Sequence, residues 1–458
     1  MNTTDKLKEL DNLFTKGVGE FVDPEGKFRQ KLTKKIKNDD KEEIIIKFGI
    51  DPTKPDIHLG HAVVFQKLRK FQDLGCKVVF VVGDFTARIG DPTGKSQTRP
   101  ELDQLEIQKN VDTYNQQVGK ILNLDPKVYS WIRNSDWFYN ASDVFLTRKN
   151  SAGEEERVTD IAVLTKALID TRMQKTALKR PGGAIDILTV NGLMWTLKHI
   201  TFSKLVSRDM FQERIKKNQE LYMHEMLYPV FQGIDSYLIH RIYNSCDLEI
   251  GGTDQTFNMM MGRDVMKANG QPPQAVMTCK ILPGTDGKEK MSKSLNNYIG
   301  ISEAPSEIFG KIMSIPDSVI SDYFELCTFS SVEEVKKELS DKNVNPRDLK
   351  LRLGEEIVYL YHGKDAAREA RDSFLKTFSE KKGMPEAAPE VRAAKEAKIS
   401  DVLIEAKIVS SRSDFRRLIS EAAIKDMKTG AVVALDQKVE SDMDLKVGKH
   451  RFLKIRVR

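Results

Sequence analysis

Cysteine is scarce in this chain and scattered where it occurs. Cys76, Cys246, Cys279 and Cys327 lie far apart with no Cys-x-x-Cys pair. That excludes a zinc knuckle or a disulfide framework and fits a reducing compartment, so a cytoplasmic location is expected. No apolar run approaches the roughly 20 residues that span a bilayer, so no membrane helix is expected. The segment 1–16 mixes Asp, Glu and Lys without an apolar block, which excludes a secretory signal. A large charge imbalance is also missing, the net charge being +6 over 458 residues. What is present is ordinary for a soluble globular protein: 40% apolar and 31% charged residues. The length exceeds what one hydrophobic core organises, so about two to four domains are expected. The charge is unevenly placed. Residues 398–458 hold fourteen Lys and Arg against nine Asp and Glu, which accounts for five of the six net positive charges.

The first half reads as an α/β unit. Glu43 to Ile50 is an isoleucine-rich run that ends at Gly49-Ile50-Asp51-Pro52-Thr53, a buried strand stopped by a proline turn. Ile57 to Leu74 follows with helical spacing of Val63, Val64, Leu68, Phe71 and Leu74. Val78 to Val82 is a second β-branched run closed by Gly83. Strand, helix, strand implies a parallel crossover and a Rossmann-like, doubly wound parallel sheet, with ligands at the carboxyl ends of the strands. Leu248 to Gly252 ends another strand, and a methionine-rich helix starts at Gln255. The expected order is a catalytic domain over 1–300 with an N-terminal helical segment and a surface insertion near 140–188. A helical domain over 301–380, a Glu/Lys/Ala/Pro linker over 381–397 and a small basic α+β unit over 398–458 follow.

Two remote segments carry the chemistry. Asp56-Ile57-His58-Leu59-Gly60-His61 places two imidazoles beside a glycine at the start of a helix, whose free N–H groups and positive end make an anion site. Lys290-Met291-Ser292-Lys293-Ser294 follows the turn-forming Gly284-Thr285-Asp286-Gly287. A loop carrying lysines can close on a pyrophosphate as negative charge builds in a transition state. Tyr228-Pro229-Val230-Phe231-Gln232-Gly233-Ile234-Asp235 puts a phenol, an amide and a carboxylate on one face of a helix. Such a stripe is either an exposed face or a buried one that needs partners.

These segments resemble the HIGH and KMSKS signatures of class I aminoacyl-tRNA synthetases, and the Tyr228/Gln232/Asp235 stripe resembles the amino-acid pocket of bacterial-type tyrosyl-tRNA synthetases. The resemblance implies a two-step reaction on ATP, accompanied by Mg2+, L-tyrosine and tRNA(Tyr), in a homodimer. It implies His58, His61, Thr86, Lys290 and Lys293 as catalytic residues. On the nucleotide it implies Asp51, Gly60, Lys95, Gly252, Asp254 and Ser294 besides those histidines and lysines. For tyrosine it implies Asp91, Tyr228, Gln232, Asp235 and Gln255, with Asp235 accepting from the phenol. A site built to bond a hydroxyl rejects the analogue that lacks it, tyrosine-selecting enzymes being the known illustration. The loop Gly83 to Lys95 and the element Gly251-Gly252-Thr253-Asp254-Gln255 complete the match, and no protein-held metal site is implied.

The chain departs from the pattern in places. Lys47 stands where many members carry a tyrosine that also contacts the substrate hydroxyl, and Glu249 stands where glutamine is frequent. Either Asp235 reads the hydroxyl alone, or Lys47 points elsewhere. The basic C-terminal unit resembles an S4-like RNA-binding domain through Ser411-Arg412-Ser413-Asp414-Phe415-Arg416-Arg417-Leu418-Ile419. There Arg412 and Arg416 would face phosphates, with Phe415, Leu418 and Ile419 packed inward. Ala422-Ala423 replaces the usual glycine pair after that helix. Such a unit is usual in the tyrosyl enzymes and generally missing from the related tryptophanyl ones. A non-catalytic RNA-binding protein on the same scaffold would be expected to have lost the histidine or the lysine segment, and both are intact.

Overall fold

The central β-branched runs pair side by side because they are buried on both faces and need cover from two layers. In the computed structural model they lie in a six-stranded sheet in the order Val18–Val22, Ala275–Cys279, Leu248–Gly252, Ile45–Ile50, Lys77–Val82 and Tyr129–Arg133. The structure describes residues 3–37, 42–93, 104–138, 147–149, 155–157, 190–341, 343–378, 388–448 and 451–457. The strands are β1 (Val18–Val22), β2 (Ile45–Ile50), β3 (Lys77–Val82), β4 (Tyr129–Arg133), β7 (Leu248–Gly252) and β8 (Ala275–Cys279); a separate hairpin joins β5 (Thr147–Lys149) to β6 (Glu155–Arg157). All neighbours in the sheet are parallel except β1, which runs antiparallel to β8 along the edge. The sheet is therefore mixed, and a strand stands inside the N-terminal segment expected to be helical.

From β2 the chain moves outward to β3 and β4, and later from β7 outward to β8. The direction reverses between β2 and β7, so the crevice at their carboxyl ends is the topological switch point, where ligands bind in such sheets. The helix Leu59–Asp73 links β2 to β3 and buries Val63, Val64, Phe65, Leu68 and Phe71. The helix Met223–Tyr243 packs on the methionine-rich helix Thr256–Ala268, where Gly233 lies against Val265 and Gly262. Both expected helices are present.

The described chain divides into two compact units, residues 1–302 with 321–336, and residues 303–320 with 337–458. In the second, the helices Pro305–Ser314, Pro346–His362 and Lys364–Phe378 pack around Phe309, which meets Phe374 and leaves no space at Gly354. The same unit holds a four-stranded sheet, β10 (Ile424–Asp426), β11 (Met443–Val447), β12 (Arg451–Val457) and β9 (Glu390–Ala393). Phe415 and Leu418 are buried with Leu403, Leu445 and Ile455, and Ile419 packs at the margin. The linker expected over 381–397 needs correction at its end: Glu390–Ala393 is β9, paired in parallel with β12. Its apolar content was too small to signal a strand, but Val391 needs only one covered face. Of the stretch 140–188, only the β5–β6 hairpin falls among the described residues. No described helix is long and apolar enough to cross a membrane.

Candidate active site

A cleft of about 1410 Å3 opens at the switch point, lined by Asp51, His58, Gly60, His61, Thr86, Asp91, Tyr228, Gln232, Asp235, Gly252, Asp254, Gln255, Lys290 and Lys293. Lys95 lies outside the described residues. Ser294 sits in the short 3-10 turn Lys293–Leu295. Arg412 and Arg416 belong to the second unit, where Arg416 is exposed and Arg412 reaches Asp401 at 3.3 Å.

The histidine and lysine segments meet. Leu59 N–H donates to the Ile299 carbonyl at 2.9 Å and Ile301 N–H to the Ile57 carbonyl at 3.0 Å, so the chain just past the lysines is stitched to the histidines. A Cβ on Gly60 would stand 3.0 Å from His58 Cε1 and 3.7 Å from Met291 Cβ, which leaves that position to glycine. The two imidazoles lie 3.9 Å apart between centroids, and the His58 backbone N–H donates to His61 Nδ1 at 3.3 Å. Burial, then Lys293 and Lys290, hold His61 down to about 3. Burial first, then the neighbouring His61 ring and the Lys293 and Lys290 charges, push His58 lower still. Both rings are neutral at physiological pH and can offer an N–H without carrying charge. Burial pulls Lys293 down to about 8, so its ammonium stays mostly charged near neutrality. Lys290 Nζ bonds Asp254 Oδ2 at 2.9 Å.

At the end of β2, Asp51 accepts from Thr86 Oγ1 at 2.7 Å and from the Tyr228 hydroxyl at 2.9 Å. A Cβ on Gly83 would fall 2.1 Å from Asp51 Oδ1, so only glycine admits this approach. Thr86 also accepts from Asn134 Nδ2 at 3.0 Å. Deeper in, Asp235 is 5% exposed. It accepts from Trp137 Nε1 at 2.9 Å and from Asn134 Nδ2 at 3.4 Å. Burial raises its carboxyl to about 7, opposed by the Lys47 charge and by the Trp137 and Asn134 donors. In the polar stripe Tyr228 and Asp235 are buried and Gln232 half-buried, each with partners, so the stripe is not an exposed face.

Lys47 is fully buried, and its side chain is taken up by protein partners. Its Nζ donates to Glu249 Oε1 at 2.9 Å, Ser236 Oγ at 2.9 Å and the Gln232 carbonyl at 2.8 Å. Lys47 and Glu249 are register partners on β2 and β7, which places both side chains on one face of the sheet. Glu249 also accepts from Gln232 Nε2, Ser236 Oγ and Gln274 Nε2 at 3.1, 2.9 and 2.8 Å. The two departures noted in the sequence are therefore a single feature, one buried ion pair with its donors and acceptors filled.

The remaining wall is a polar chain. Gln255 Nε2 donates to Asp91 Oδ2 at 2.6 Å, and Asn258 Nδ2 donates to Gln232 Oε1 at 3.1 Å and Gln255 Oε1 at 2.9 Å. Asp91 Oδ1 accepts from Thr93 N–H and Oγ1 at 3.0 and 2.6 Å. Sequence reasoning missed Arg208, which lies 3.8 Å from Asp91, and also Asn134, Trp137 and Asn258. Arg208 follows a run of ordinary helical residues and carries no local signal. Trp137 and Asn134 come from a turn after β4, a strand that the sequence did not announce.

The family model for class I tRNA synthetases (W and Y) matches residues 38–178 and 186–379, so the match runs through most of the stretch read as an insertion. The chain is 38% identical to the tyrosine–tRNA ligase of Carboxydothermus hydrogenoformans over 98% of both chains. It is 40% identical to tyrosine–tRNA ligase 2 of Vibrio cholerae over 90% of this chain and 89% of that one. In fold it is similar to a C-terminally truncated mitochondrial tyrosyl-tRNA synthetase of Aspergillus nidulans, with a TM-score of 0.56 at 19% identity, covering 82% of this chain and 94% of that one.

Proposed function

The chain belongs to the class I tRNA synthetases of the tryptophan and tyrosine group, and on that premise we propose that it is a tyrosine–tRNA ligase. The observation that carries this reading is the buried Asp235 carboxylate on the wall of the same cleft in which the histidine and lysine segments meet. A phenol O–H entering there meets an acceptor already fixed by Trp137 and Asn134. Phenylalanine would leave that acceptor one partner short, at a cost of about 1–3 kcal/mol for an unpaired buried group.

In the first step a carboxylate oxygen of L-tyrosine attacks the α-phosphorus of ATP, the bond to the α,β-bridging oxygen breaks, and pyrophosphate leaves. Charge moves onto the departing phosphates, where neutral His58 and His61 N–H groups and the Lys293 ammonium stand. Asp254 serves the ribose hydroxyls, and Gly252 lets the backbone approach. Lys290 holds Asp254 in this structure. Nucleotide on Asp254 frees Lys290 for the phosphates, which couples ribose binding to the lysine loop. Asp91 and Gln255 receive the ammonium of the amino acid, with Tyr228 and Gln232 beside them. Thr86 holds Asp51 toward the adenylate, and Lys95 and Ser294 act on the nucleotide side. In the second step a terminal ribose hydroxyl of tRNA attacks the acyl carbonyl and AMP leaves.

Magnesium accompanying ATP would neutralise negative charge on the phosphates. Among the described residues no group of three or more His, Cys, Asp or Glu is placed to hold a metal. The C-terminal part, with Arg412 and Arg416 on one helix over a packed core, acts as an S4-like RNA-binding unit. The enzyme works as a cytoplasmic homodimer. Incubation with ATP, labelled tyrosine and tRNA(Tyr) tests the reading: acid-stable label on the tRNA is expected, and uncharged tRNA refutes it.

A further inference from the structure

Arg208 is a buried cation that the reaction scheme above leaves without a task. It precedes the helix Asp209–Lys216, is 7% exposed, and lines the cleft. Its guanidinium carbon stands 5.4 Å from the ring centroids of both Phe211 and Phe257, so two aromatic faces fix its plane and keep water off it. Nη2 donates to Thr93 Oγ1 and lies 3.8 Å from Asp91 Oδ1. Nη1 is buried and has no hydrogen-bond partner. A guanidinium held this rigidly with one nitrogen unsatisfied is costly unless something completes it.

We infer that Arg208 Nη1 binds the α-carboxylate of the amino-acid substrate, so that Asp91 and Arg208 together form a clamp for the zwitterion. The inference rests on the amino-acid-activating function proposed above. The pairing follows from charge: Asp91 is an acceptor suited to the ammonium, and the cation beside it offers the opposite charge that the carboxylate needs. The Thr93 hydroxyl ties the two halves together, since it donates to Asp91 and accepts from Arg208. Burial between aromatic rings strengthens a charged hydrogen bond to a carboxylate relative to one in water. The contact serves binding of the free amino acid, because the carboxylate loses its charge when it becomes the acyl phosphate.

Calorimetric titration of the full chain with L-tyrosine and with tyramine, which lacks only the carboxylate, tests this. Arg208→Met is expected to weaken tyrosine binding by about tenfold to a hundredfold, the range for a charge-assisted buried hydrogen bond, while tyramine binding stays within about twofold of the parent. An equal loss for both ligands, or no loss for tyrosine, overturns the inference and makes Arg208 a scaffold for Asp91. Arg208→Lys keeps the charge but loses the fork, and carries the test if the methionine variant does not fold. It should lower the preference for tyrosine over tyramine, and an unchanged preference also overturns the inference. A parent protein that binds neither ligand overturns both this and the amino-acid reading, whereas tyrosine binding with an unchanged preference overturns this one alone.

Discussion

Lys47→Met breaks the buried ion pair with Glu249 and removes the Nζ bonds to Ser236 Oγ and the Gln232 carbonyl. Lys47 is 0% exposed and Glu249 2% exposed, and methionine fills a volume close to that of the lysine stem. Glu249 would keep its bonds from Gln232, Ser236 and Gln274 but lose its counter-charge. Removing one partner of a buried pair costs about 3–5 kcal/mol, because the other charge is left uncompensated. At about 2–4 °C per kcal/mol for a domain of this size, the melting temperature of the first unit should fall on the order of 10 °C. Glu249→Gln with Lys47 retained should be comparably harmful, and the double variant Lys47→Met/Glu249→Gln should recover much of the loss. The expected coupling is about 2 kcal/mol or more. Trp131, Trp137 and Trp195, the three tryptophans of the chain, all lie in the first unit, so fluorescence-detected urea unfolding reports on the relevant core. A Lys47→Met cost below about 1 kcal/mol, or single-variant losses that simply add in the double variant, would refute the reasoning.

Other expectations follow from the same geometry. Asp235→Ala should reduce the preference for tyrosine over phenylalanine in amino-acid activation by about tenfold to a hundredfold, read from the ratio of kcat/KM values; an unchanged ratio means that Asp235 does not read the hydroxyl. Asp235 is raised from 3.8 to about 7 mainly by burial, so the folded protein binds its proton more tightly than the unfolded chain. Its contribution to stability is present at acid pH and is lost as pH climbs from about 4 to about 7. Urea unfolding should therefore show the parent losing stability relative to Asp235→Asn across that window, and parallel profiles would contradict it. Ala422 holds φ +51 at the end of the helix Arg412–Ser420. Ala422→Gly should relieve that left-handed strain and stabilise the second unit by about 0.5–1 kcal/mol, read by calorimetry as a later transition.

The elements that form the histidine side of the cleft were legible because they are local. A run of isoleucine, a proline turn and a helix start lie within one stretch, and each carries its own signal. The Tyr228 to Asp235 stripe was also legible as a helix face, although periodicity alone left its burial undecided. Lys47 and Glu249 each stood out as a departure, yet their partnership depends on β2 and β7 being neighbours in register, a fact of topology that no local pattern contains. Arg208 was invisible for the same reason: its value comes from Asp91, Phe211 and Phe257 converging on it from separate segments. Strand β9 was hidden by its charged neighbours, since an edge strand with one covered face needs few apolar residues.

Amino-acid-dependent exchange of pyrophosphate into ATP, run with each of the twenty amino acids in turn, tests the account at its centre. Tyrosine alone should drive exchange, and it should do so without tRNA. Exchange driven by tryptophan, or by no amino acid, would contradict it.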